Sequence, residues 1–148
     1  MAKANSGDGK RPAKKATPGG GRRVEDAPRV EVSARAALRA WFTRNCAEPA
    51  GVWIVYERPA KGTPGGLDEA AIIDEALCFG WIDSRSKRLD ERRSMLYVSP
   101  RRPGGTWSAR NKARVAALEA EGLMAAPGRA KVDAARADGS WGAIDAAG

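Results

Sequence analysis

Glu75-Ala76-Leu77-Cys78-Phe79-Gly80-Trp81-Ile82-Asp83 carries a helix end, a turn and a strand start within nine residues. The apolar residues before Gly80 keep helical spacing, and Trp81 to Lys87 alternate as a strand does. Gly80 is the switch, because only glycine enters the left-handed conformation of a helix C′ position without a Cβ penalty.

Working outward, Asp68 reads as the N-cap of the helix that ends at Gly80. Leu67 and Ile72 stand at the spacing of a hydrophobic staple, and Glu69 suits the positive end of the dipole. Beyond Gly80, a hairpin is expected over Trp81–Arg88 and Ser94–Ser99. Strict alternation puts Ile82, Ser84 and Ser86 on one side and Trp81, Asp83, Arg85 and Lys87 on the other. The second strand is apolar on both sides, which predicts a sheet covered at least in part on both faces. After the Arg101-Arg102-Pro103-Gly104-Gly105 loop, Ser108 caps a third helix closed by Gly122, with Leu123 placed to touch Leu118. Pro127 opens a fourth at its first position, and Trp141 folds back. Upstream, Ser33 reads as the cap of a first helix that buries Leu38, Trp41 and Phe42, with Arg35, Arg39 and Arg44 on other faces. Val52–Arg58 is dense in β-branched and aromatic residues and predicts a strand. The expected fold is α+β: a small, mainly antiparallel sheet of one strand plus a hairpin, packed against about four helices.

The chain has 148 residues, two cysteines and no histidine. The missing histidine excludes Ser-His-Asp and Cys-His catalysis and histidine-based zinc sites at once. Cys78 reads as a buried small hydrophobe, and neither cysteine builds a disulfide framework. No stretch is apolar enough to span a membrane or serve as a signal peptide, so a cytoplasmic protein is expected. The net charge is +8, and Met1 to Val24 carries seven Lys/Arg against one acid. Residues 1–28 hold too little apolar surface to offset ordering entropy and read as a disordered basic tail, leaving 29–148 as one domain. Within that domain, Asp83 to Arg114 carries ten basic residues against three acids, a basic face built into the fold.

The run ALCFGWID, then LDERR, SPRR and TWSARN, resembles the YdeI/OmpD-associated family, also labelled bacteriocin-protection proteins, over about Ala40 to Trp141. Ser84 departs from that pattern, where glycine is usual. The resemblance implies a stress- or bacteriocin-protection role and names no reaction.

Three pieces converge as a candidate site: the corner with Trp81 and Asp83, the Arg101-Arg102 loop, and the Trp107-Ser108 helix start with Asn111. Lys87 joins them through its expected face. A helix N-terminus and two forked arginines make an anion site, with Trp81 or Trp107 as a stacking wall. The first reading is therefore a non-enzymatic protein binding an anionic small ligand there, with no cofactor and no metal. The second is a nucleic-acid-binding protein using the tail and the 83–114 face. The third is an enzyme with Glu75 and Asp83 as acid and base, against which Asp83 pairing with Arg85 is the plainer expectation.

Overall fold

The computed structural model describes residues 23–60 and 66–143. A 3-10 turn at Val24–Asp26 precedes β1 (Arg29–Glu31), α1 (Arg35–Asn45), β2 (Val52–Glu57), α2 (Glu69–Cys78), β3 (Trp81–Arg88), β4 (Arg93–Pro100), α3 (Ala109–Ala120) and α4 (Ala126–Asp138), and a second 3-10 turn follows at Ser140–Gly142. The four strands form one sheet in the order β1-β2-β4-β3. The fold is α+β, but the sheet is mixed: β2–β4 and β3–β4 are antiparallel, whereas β1 pairs parallel with β2. The added strand has only three residues and a single half-buried side chain, Val30, too little for a period-two signal. Because β1 and β2 run parallel, α1 serves as the crossover between them.

Four helices contribute to one core on one side of the sheet, around Leu38, Phe42, Ile54, Ile72, Leu77, Trp81, Leu96, Val98, Val115 and Val132. The predicted corner is present. Gly80 has φ +84°, and its N–H donates to the Leu77 carbonyl. Asp68 caps α2 by accepting from the Ala71 N–H at 2.9 Å. Gly122, at φ +74°, closes α3, and the Leu123 N–H donates back to the Leu118 carbonyl. The expected Ser33 cap is not made: α1 starts one residue later behind Ala34, without a side-chain cap. Among the described residues no helix is long and apolar enough to cross a membrane.

Sequence alternation mispredicted β3. Asp83 stands opposite Val98 and Arg85 opposite Tyr97, so Ser84 is an extra residue, a β-bulge. The bulge reverses the parity of everything after it. Trp81 and Asp83 face the helices; Arg85 and Lys87 face the other way, in register with Tyr97 and Met95. Lys87 therefore leaves the expected group.

The second face has its own small cluster of Ala27, Trp53, Val55 and Met95, against which Val24, Leu89 and Tyr97 pack. This fulfils the expectation of a sheet covered on both sides and corrects the tail boundary. Residues 1–22 of the expected tail lie outside the described residues, as do residues 61–65. Residues 23–28, however, form a strap: Ala27 is buried, and the Trp53 indole N–H donates to the Val24 carbonyl at 2.8 Å.

At the tip of the hairpin, Arg58 donates to the carbonyls of Arg93, Asp90 and Glu91 and to the Ser94 hydroxyl. Asp90 accepts from the N–H groups of Arg92 and Arg93 and from the Arg93 guanidinium, which holds its carboxyl down at about 2. A depressed folded pKa means stability present above the ordinary carboxylate value and lost as pH falls through about 2. An NMR titration of the Asp90 carboxyl carbon is expected to show a midpoint near that value rather than the unperturbed ~3.9.

Gly128→Ala tests the helix packing. A Cβ there would lie 2.2 Å from the Cys78 carbonyl oxygen, whereas one at Gly142 would meet nothing within 4 Å. Thermal unfolding should show G128A destabilised by about 1–3 kcal/mol and G142A within ~0.5 kcal/mol of wild type.

Candidate anion site at the basic corner

β4 ends at Pro100, and the next N–H, that of Arg101, donates to the Gly80 carbonyl at 3.0 Å. That bond brings the 101–106 loop beside the corner. The Arg101 side chain turns inward: the residue is 8% exposed, and its guanidinium carbon lies 3.5 Å from the centroid of the Trp107 ring. Its Nη2 donates to the Thr106 carbonyl at 2.7 Å, closing the loop on itself. Its Nη1 is buried without a hydrogen-bond partner among the described residues. Burial pushes the Arg101 pKa down from its ordinary value, and the charge of Asp83 opposes that shift.

Beside this guanidinium is a cavity of about 80 Å³ lined by the 101–105 loop, Trp107, Lys131, Ala134, Ala135, Asp138 and Ser140. Lys131 comes from α4 and donates to the Arg101 carbonyl at 2.8 Å. Asp138 accepts from both the N–H and the hydroxyl of Ser140, and these bonds hold its carboxyl below its usual value. Trp141 packs on Trp107 with ring centroids 4.9 Å apart, as expected for a residue that folds back. Three cations and one carboxylate thus line a space that fits one tetrahedral oxyanion or a carboxylate group.

The structure brings Arg101, Arg102 and Trp107 together and sets the charge of Asp83 within reach. Other expected members are elsewhere. Trp81 is core: it packs edge-on against Phe42 and Trp41, and its N–H donates to the Cys46 carbonyl at 3.0 Å. Ser108 does cap α3, accepting from the Asn111 N–H at 3.1 Å, but Ser108 and Asn111 are outside the cavity lining. Lys131, Asp138 and Ser140 were missed. They sit on α4 and just past it, roughly thirty to forty residues from the arginines, and no local signal in the sequence connects them to the loop.

The enzymatic pair fares differently. Glu75 is 1% exposed and is held between Arg35 Nε at 2.6 Å and Arg39 Nη1 at 3.1 Å. Arg39 also donates to the Leu123 carbonyl at 2.7 Å. The two α1 arginines expected on other faces instead tie α1 to α2 and to the α3–α4 turn. Hydrogen bonds to Glu75 and its charge raise the pKa of Arg35 against burial, which is the largest influence and works the other way. Asp83 has no ion pair with Arg85, which pairs with Glu25 at 3.1 Å. Cys78 is buried, which pushes its thiol pKa up and makes it inert. Among the described residues no group of three or more His, Cys, Asp and Glu side chains could hold a metal.

A family model described as a domain of unknown function (DUF8412) matches residues 30–131. The chain belongs to that family. No curated protein and no solved structure matches it. The DUF8412 span runs from β1 into α4 and takes in Arg101, Trp107 and Lys131. It stops short of Asp138, Ser140 and Trp141, and the strap at 23–28 lies before it.

Glu75→Gln separates a structural carboxylate from a working one. Removing its charge leaves two guanidiniums facing each other across a buried gap, though both are about a third exposed and partly screened. Chemical denaturation should show a loss of about 1–3 kcal/mol, with anion binding at Arg101 intact in the folded variant.

Proposed function

We propose that this DUF8412 protein is a cytoplasmic, non-enzymatic ligand-binding protein that takes a small anion, or the anionic end of a larger ligand, in the cavity beside Arg101. Its biological role is the stress- or bacteriocin-protection role implied by the resemblance of its motifs to the YdeI/OmpD-associated family. The observation that carries this reading is the buried Nη1 of Arg101, unpartnered like Arg35 Nη2 and Arg114 Nε but belonging to the one of these three side chains that lines this cavity. A buried charged donor without an acceptor is costly, and a small shift of the loop that let an anion oxygen reach it from the adjoining cavity would remove that cost. Lys131 and Arg102 add positive charge at the same wall. Trp107 holds the guanidinium plane in place, so little side-chain entropy remains to be lost on binding. A volume of about 80 Å³ suits a phosphate or carboxylate group and is far below the space a whole nucleotide needs.

Calorimetric titration of the full chain with inorganic phosphate tests this. Saturable binding is expected, with a rise in melting temperature that grows with phosphate concentration. Lys131→Met keeps the aliphatic stem beside Gly80 and should weaken binding about tenfold, the scale of one lost charge-assisted contact. Arg101→Lys keeps the charge but removes the fork, and should weaken it as much or more. Wild-type protein that takes up no phosphate overturns the reading.

A further inference from the structure

The side of the sheet that faces away from the helices carries a different surface. Strand register sets Trp53 beside Tyr97 and Tyr97 beside Arg85, with Arg29 next to Trp53 on the edge strand. Lys87 stands on the same side, opposite Met95. The Trp53 and Tyr97 rings meet edge-on with centroids 5.4 Å apart. An aromatic pair therefore occupies the middle of a four-stranded face, with cationic side chains on both outer strands. Glu31 and Glu57 share that side toward one end and are paired with Arg93 and Arg92. Arg29 and Lys87 are exposed and have no ion-pair or hydrogen-bond partner among the described residues.

The strap at 23–28 covers the aromatic pair with groups that a nucleic-acid strand also carries. Its Glu25 carboxylate sits 3.1 Å from the Arg85 guanidinium, where a phosphate oxygen makes the same charge-assisted contact. Its Val24 carbonyl accepts the Trp53 N–H, the contact a base carbonyl or sugar oxygen also makes. This hold is light. Both partners of the Arg85–Glu25 pair are more than half exposed, so solvent screens the attraction.

We infer that this sheet face binds single-stranded nucleic acid, with Trp53 and Tyr97 as stacking platform and Arg29, Arg85 and Lys87 on the phosphates, and that the 23–28 strap occupies it in the free protein. The single strand follows from the chemistry: a flat face with central aromatic rings reads unpaired bases, whose faces are free to stack, and not the closed stack of a duplex. The basic residues before the strap add a sequence-independent attraction of their own. This surface is separate from the Arg101 cavity and does not depend on it.

Fluorescence anisotropy of a labelled oligothymidylate of about twelve nucleotides, titrated with the full chain at fixed low salt, tests the inference. The single strand is expected to bind, and a duplex of the same length to bind more weakly. Glu25→Gln weakens the strap's hold and should tighten binding about two- to fivefold, the range of one exposed ion pair. The double variant Arg29→Glu/Lys87→Glu changes two exposed side chains, leaves the core intact and should weaken binding about tenfold or more. Arg44→Ala, which removes an exposed cation on α1 and so on the helix side of the sheet, should leave it unchanged. If the double variant binds like wild type, the basic N-terminal residues alone hold the strand and the inference falls. It falls equally if the duplex binds as well as the single strand, or if Glu25→Gln does not tighten binding.

Discussion

The backbone of α4 runs against the end of α2 at a distance that only glycine permits. A Cβ at Gly128 would overlap the Cys78 carbonyl, and one at Gly80 would press on the Lys131 stem and the Pro127 carbonyl. The Ala125 N–H donates to the same Cys78 carbonyl at 3.0 Å, pinning the start of α4 to the end of α2. From this close approach follows the position of Lys131 over the corner, and from that its bond to the Arg101 carbonyl. The cavity beside Arg101 is what remains between a loop held by Gly80 and a helix held by Gly128.

Two buried charges meet low dielectric in opposite ways. Glu75 is paired with two guanidiniums that approach from α1, so its burial ties helices together. Arg101 is compensated only in part. Its Nη2 closes the loop and its ring stacking holds the plane, but Nη1 still lacks an acceptor. The first side chain is paired; the second keeps a buried donor without an acceptor among the described residues. The contrast depends on geometry, since both are charged side chains placed beside apolar helices.

Much of the fold could be read along the chain because its signals are local. Asp68, Gly80, Ser108 and Gly122 each act through backbone groups within four residues, and each terminates a helix where expected. Local signals failed where pairing is non-local. The parallel strand Arg29–Glu31 owes its existence to β2, more than twenty residues away. The Ser84 bulge is set by the register against β4, and nothing in WIDSRSK announces a broken alternation. In the candidate site the same division holds. Arg101, Arg102 and Trp107 stood out as adjacent charged and aromatic residues, whereas Lys131 and Ser140 join them only through the packing of α4.

The sequence by itself determined the helix boundaries at Asp68, Gly80, Ser108 and Gly122, the hairpin, the buried stripes, and the exclusion of histidine chemistry, because capping, turn conformation and apolar spacing are properties of neighbouring residues. Tertiary structure alone decided which charges are satisfied. It set Glu75 between two arginines, turned Arg101 inward over Trp107, moved Lys87 to the far side of the sheet and laid the 23–28 strap across Trp53. Each of these outcomes is a contact between segments far apart in the chain, and a side chain's partner and solvent exposure do not exist until those segments meet.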